Sequence, residues 1–268
     1  MYGSRSLILS PHPDDEVVGA AAMIKRAGAA GATSFVLYLT TGVPPQDALW
    51  WWRRRDHGHL VAIRRAEATV VATALNAEIA GFCQRPSRSL QYDLPEARVE
   101  VEKAIARLGI DRLLVPAYEG GHSDHDAANG LASTFCNQVA VWEFAEYNYC
   151  GGTINPNAFP ERHGSECDLL LTVEEMAHKS ELLRLYASQR CNLDYVGVAT
   201  ESFRPIFAYD YSQPAHAGTV FYQRFHWVRF RHPRVDFTKP EEVCRAVTAL
   251  RAEYTGGDTP GQRPGTKL

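Results

Sequence analysis

The hexapeptide Pro11-His12-Pro13-Asp14-Asp15-Glu16 sets one imidazole and three carboxylates side by side. Such groups hold divalent cations and exchange protons, the two operations that hydrolysis of an unreactive bond needs. A second cluster, Gly120-Gly121-His122-Ser123-Asp124-His125-Asp126, repeats the combination far along the chain. A catalytic zinc site takes three protein ligands and leaves a position for water. One His and one Asp from the first cluster plus one His from the second meet that count. Helix capping is the competing reading, but it needs one Asp and explains neither His12 nor the prolines beside it. For Glu16 capping stands on equal terms, and Asp126 reads as a plain first-turn acid.

Both clusters need a scaffold that brings them together. The first follows Leu7-Ile8-Leu9 and precedes a helix-like stretch from Val17 to Ile24. The second follows Arg112-Leu113-Leu114-Val115-Pro116 and precedes Ala127-Ala128-Asn129-Gly130-Leu131-Ala132. Each therefore sits where a strand gives way to a helix, the edge of an open α/β sheet at which ligands bind. Strand signals cover 6–11, 34–40, 79–83, 112–116 and 139–145; helix signals cover 16–29, 59–76, 99–108, 124–137 and 173–188. This alternation predicts an α/β fold with a Rossmann-like, mostly parallel sheet and helices on both faces. No Gly-x-Gly-x-x-Gly follows the first strand, and the acidic turn there would repel a diphosphate, so no dinucleotide is expected.

With 268 residues the chain can build one large core. Residues 1–253 are expected to form a single domain, with 150–253 adding elements around the substrate pocket and the Gly/Pro-rich 254–268 a flexible tail. The formal charge of −3 argues against bulk attraction to nucleic acid. No apolar run is long enough to span a bilayer. The short apolar run before His12 is no signal-peptide core, so a cytoplasmic location is expected. The six cysteines form no Cys-x-x-Cys pair and read as reduced packing residues rather than metal ligands.

Taken with these motifs, the sequence resembles the PIG-L / LmbE-like family of zinc-dependent deacetylases. The family's (Ala/Ser/Pro)-His-Pro-Asp-Asp-Glu motif is matched by Pro11 to Glu16, and its His-x-Asp-His motif by His122 to His125. Weaker likenesses are Thr40-Thr41-Gly42, Arg64-Arg65-Ala66-Glu67-Ala68 and Tyr186-Ala187-Ser188-Gln189. The resemblance implies His12, Asp15 and His125 as metal ligands, for Zn²⁺ or for Fe²⁺ or another divalent ion. It implies Asp14 as general base, His122 as electrostatic or general-acid partner, and Asp124 as a carboxylate orienting one of the histidines. It also implies removal of an N-acetyl group from an N-acetylglucosamine-type sugar or glycoconjugate. Amide hydrolysis fits this set, because a cation polarises the carbonyl and lowers the pKa of a bound water to about 7.

Two regions are read as setting substrate choice. Trp50-Trp51-Trp52-Arg53-Arg54-Arg55 follows the second strand, and three consecutive tryptophans cannot all face a core. Trp50, Trp51 and Arg53 are expected to contact substrate by stacking or by pairing with an anion; packing as a lid or an oligomer contact is an equal alternative. Glu143 and Tyr147, at a strand end on the same edge, are expected to meet hydroxyls, and Arg65 to touch substrate. Rival functions are an amidase of thiol-sugar conjugates within the same family, a mononuclear iron oxygenase with a His/Asp/His triad, and a sugar-binding protein without turnover.

Overall fold

The computed structural model describes residues 3–193, 196–230 and 232–254. Strand β1 (Arg5–Ser10) leads into helix α1 (Asp15–Ala29), then β2 (Thr33–Tyr38), α2 (His57–Leu75), β3 (Glu78–Phe82), α3 (Leu94–Leu108), β4 (Arg112–Pro116), α4 (Ser123–Ser133) and β5 (Ala140–Phe144). A two-residue pair, β6 (Tyr147–Asn148) and β7 (Asn155–Pro156), precedes β8 (Cys167–Leu170), α5 (Val173–Leu185), β9 (Thr200–Pro205) and α6 (Pro240–Tyr254).

The seven-stranded sheet has the order β3-β2-β1-β4-β5-β9-β8. The first five strands are parallel, while β9 and β8 continue the sheet antiparallel beyond β5. Alternation along the strands fills both faces. Leu7, Leu9, Phe35 and Leu37 point to the side covered by α3, α4 and α6; Ile8, Val36 and Tyr38 point to the side covered by α1, α2 and α5. The chain winds outward in opposite directions from β1 and β4, which makes the gap beyond their carboxyl ends the topological switch point. Both acidic clusters open into that gap.

The parallel βα series follows the sequence expectation, and the differences lie at the ends. Helix α3 begins at Leu94, with proline in its first turn, instead of near 99. Helix α5 stops at Leu185 rather than 188, because Tyr186 leaves helical geometry and sends its hydroxyl to Glu16. Strands β8 and β9 and helix α6 enlarge the same sheet and core beyond the alternating series. Helix α6 starts at Pro240 with Glu241 and Glu242 in its first turn and buries Val243, Cys244, Val247 and Leu250. The expected tail from 254 falls, after Tyr254, outside the described residues.

Candidate metal centre

After Ser10 the chain turns sharply. The Ser10 hydroxyl donates to the His12 carbonyl at 2.6 Å, and the His12 amide donates to Asp15 Oδ2 at 2.6 Å. Asp14 adopts φ 145°, a backbone conformation that side chains rarely take. Such strain at the head of α1 is held by its surroundings. The Asp14 carboxylate pairs with Arg64 of α2 at 3.2 Å, and the Asp14 amide donates to Glu16 Oε2 at 3.2 Å. Glu16 lies beneath the turn, accepting from Ser10, Tyr38 and Tyr186. Burial pushes its carboxyl up to about 7, against the Tyr186 hydrogen bond. Gly42 closes over this corner at φ +67°, where a Cβ would stand 2.7 Å from Pro13 and 2.8 Å from Arg64. Any larger residue there would displace the motif.

Across the switch point, His122 caps α4, its Nδ1 accepting from the Asp124 amide at 3.1 Å. One turn on, His125 faces His12. The His12 Nδ1 lies 3.2 Å from His125 Nε2 and 3.5 Å from Asp15 Oδ2, and His125 Nε2 lies 3.4 Å from Asp15 Oδ1. Three ligand-type side chains from two distant motifs thus converge. The His122 ring stands edge-on to His12, with centroids 4.4 Å apart, and His12, His122 and His125 can together reach one ion. Asp15, His125 and Glu146 form a second such group, which shares His125 with the first.

The remaining ring nitrogens each face a carboxylate. His12 Nε2 meets Asp124 Oδ2 at 2.9 Å, and Asp124 also accepts the amides of Arg88 and Leu90. The loop after β3 thereby fixes the carboxylate that fixes His12, the usual way a ligand imidazole is held in one tautomer. On the far side of His125, Nδ1 stands 3.7 Å from Glu146 Oε2. That nitrogen and both Glu146 oxygens are buried without hydrogen-bond partners. Glu146 is pinned by its backbone: its amide donates to Glu119 at 2.7 Å, and its carbonyl accepts from Asn157 at 2.8 Å.

The electrostatics favour positive charge at the centre. Burial opposes a charge on His12, yet Asp15 and Asp124 hold its pKa up at about 10. Burial likewise opposes the Asp15 carboxylate, and His125 and His12 overcome it, holding that group well below the usual range. A field that retains a proton on a buried imidazole also attracts a divalent cation. Converging nitrogens and oxygens, orphaned buried donors and acceptors, and this field together fit such an ion. Asp14 behaves differently: burial lifts it to about 6, although Arg64 pulls it down. His122 is driven well below its ordinary value by burial and by the neighbouring His12. It is therefore neutral, and with Nδ1 accepting, Nε2 carries its proton.

The residues expected on the substrate side fall in different surroundings. Tyr147 lines the centre, its ring 5.9 Å from His125 and 4.6 Å from Phe221. Glu143 is enclosed by Asn129, Arg204 and Tyr209 and takes part in the sheet's own polar network. Arg65 lies over the Phe82 ring at 5.4 Å, whereas the adjacent Arg64 turns inward to Asp14. One residue of helix rotation separates the two roles. Glu67 receives both the amide and the hydroxyl of Ser188, which ties α2 to the segment after α5. Trp50, Trp51 and Arg53 are on an exposed loop, with Arg53 paired to Asp56 at 2.9 Å.

A Rossmann-like sheet carrying this cluster at its switch point defines the class of the protein. The PIG-L family model, described as GlcNAc-PI de-N-acetylase, matches residues 7–136. Solved structures share the fold. A deacetylase of the teicoplanin biosynthesis pathway is 21% identical over 75% of this chain and 97% of its own, with TM-score 0.60. The N,N'-diacetylchitobiose deacetylase of Pyrococcus horikoshii is 20% identical over 79% of this chain and 84% of its own, with TM-score 0.50. A 4-carboxy-2-hydroxymuconate hydratase from Pseudomonas putida is 16% identical over 77% and 98%, also with TM-score 0.50. No curated protein sequence matches significantly.

Proposed function

We propose that the chain is a metal-dependent N-deacetylase that hydrolyses the acetamide of an N-acetylglucosamine-type sugar or glycoconjugate, with 1–253 as one catalytic unit. The observation that carries this reading is the meeting of His12 Nδ1, Asp15 and His125 Nε2 within 3.5 Å beside the strained Asp14. Those three residues would hold the ion, Zn²⁺ or another divalent metal. When bound, the ion polarises the amide carbonyl and acidifies water. Asp14 takes the proton from the attacking water, and Arg64 keeps its carboxylate aimed and ionised. Neutral His122 donates its Nε2 proton toward the oxygen that gains charge as the carbonyl carbon becomes tetrahedral. The C–N bond then breaks as the nitrogen takes the proton that Asp14 removed from water, releasing the free amine and acetate. Deacetylases among the structural neighbours and the family's own description support amide cleavage; the hydratase neighbour shows that fold alone does not fix the reaction.

The test is a product assay on metal-stripped protein reconstituted with one equivalent of Zn²⁺ or Fe²⁺. The proposed reaction yields equal amounts of acetate and free amine from an N-acetylglucosamine conjugate, with no dioxygen consumed. Amine release only from cysteinyl amides would favour the thiol-sugar amidase, and oxygen uptake the oxygenase. Within this reading the Glu146 carboxylate, 3.7 Å from His125 Nδ1, orients that ring electrostatically and favours the tautomer that leaves Nε2 free. Glu146→Gln is accordingly expected to weaken metal binding by about 10- to 100-fold. Calorimetric metal titration reads this directly, and an unchanged affinity would remove Glu146 from the centre.

A further inference from the structure

We propose that the aromatic, arginine-rich rim beside the metal centre is a docking surface for an anionic lipid bilayer. Soluble proteins seldom leave large rings in contiguous exposed patches. Here Trp51 is 74% exposed, Trp52 54%, Trp227 75% and Phe230 60%. Two separate segments make one surface. Trp50 stacks on Trp52 at 5.2 Å and meets His232 edge-on at 5.4 Å, and His232 touches Phe230 at 5.9 Å. Between Phe225 and Val235 lies an apolar groove of about 620 Å³.

Charge supplies the second argument. Arg53, Arg54, Arg55, Arg229 and Arg234 are all exposed around these rings. Asp56 pairs with Arg53, and the Arg54 guanidinium donates to the carbonyls of Leu49 and Asp47. This concentration of positive charge stands on a chain of net charge −3. Tryptophan and arginine together suit the headgroup region, where indole rings sit at the polar–apolar boundary and cations meet anionic lipid. A second copy is a poor occupant, because a two-fold contact would set arginines against arginines.

The surface adjoins the centre. Arg88, whose amide holds Asp124, also donates from its side chain to the Val235 carbonyl at 3.0 Å. Docking would therefore hold the mouth of the catalytic cleft against the membrane. It is measured without turnover, so its failure leaves the hydrolase reading untouched, and the reverse is also true.

The test is co-sedimentation of the full chain with vesicles of phosphatidylcholine alone or mixed with phosphatidylserine. Binding is expected only with phosphatidylserine present, falling as salt screens the charges. Arg229→Gln with Arg234→Gln should lower partitioning by about 25-fold, at about fivefold for each charge. Trp52→Ala with Trp227→Ala should abolish it, with circular dichroism unchanged for both pairs. Equal binding to both vesicle types, no binding at low salt, or partitioning indifferent to these variants would overturn the proposal. So would a stable dimer in sedimentation velocity that the tryptophan variant dissociates.

Discussion

Asp14→Asn is expected to lower kcat by about 10²- to 10⁴-fold while the protein stays folded and binds its metal. Asparagine has almost the same shape, and its side-chain oxygen can still accept from Arg64, the partner 3.2 Å away. What it lacks is the capacity to take a proton from water. The loss of one negative charge leaves Arg64 less well paired, yet it also relieves repulsion from Asp15, which raises the Asp14 pKa. The two effects oppose each other, so a modest change in stability is expected. Metal analysis of the purified variant separates this residue from the ligand set: His125→Ala should lose ion and turnover together, whereas Asp14→Asn should lose turnover alone. Retention of kcat within tenfold in Asp14→Asn would exclude it as the base.

Much of this centre is visible in the sequence because its chemistry is local. Both motifs are contiguous, each sits at a strand–helix junction, and the βαβ order brings the junctions to one edge. What the sequence conceals is non-local. Glu146 is an isolated acid after β5, and only folding sets it opposite His125 Nδ1. Arg64 and Arg65 are adjacent, but a signal for the inward one existed. Arg64 shares a helix face with the buried Ala68, Val71, Ala72 and Leu75, and Arg65 does not. Strand β9 is hidden more thoroughly. Its sequence, Thr200-Glu201-Ser202-Phe203-Arg204-Pro205, puts two charged residues in a buried strand, contrary to any propensity argument. Arg204 is matched by Glu143 and Glu166, and Glu201 by Lys179, partners that lie elsewhere in the chain. Helix α6 is the opposite case, since its initial proline, acidic first turn and apolar spacing are ordinary helix signals.

The pair formed by Lys179 and Glu201 yields the largest expected effect on stability. Both side chains are essentially inaccessible, with Lys179 Nζ 3.0 Å from Glu201 Oε1. The ammonium also donates to the Val18 carbonyl at 2.8 Å, and Glu201 accepts the amides of Ala22 at 2.9 Å and Met23 at 3.0 Å. The pair is thus wedged against the backbone of α1, the helix whose first turn supplies Asp15. Lys179→Met fills a similar volume but leaves a buried carboxylate without its countercharge. A buried pair broken on one side costs about 3–5 kcal/mol. For a chain of this size that corresponds to a fall in Tm of about 6–20 °C, at about 2–4 °C per kcal/mol. Glu201→Leu alone should be comparably damaging, because it strands the ammonium. The double variant should recover much of the loss, since an apolar pair of similar volume removes both desolvation penalties. Urea unfolding of the four proteins gives the coupling directly. If Lys179→Met costs less than about 1 kcal/mol, the pair behaves like an exposed one and does not anchor α1.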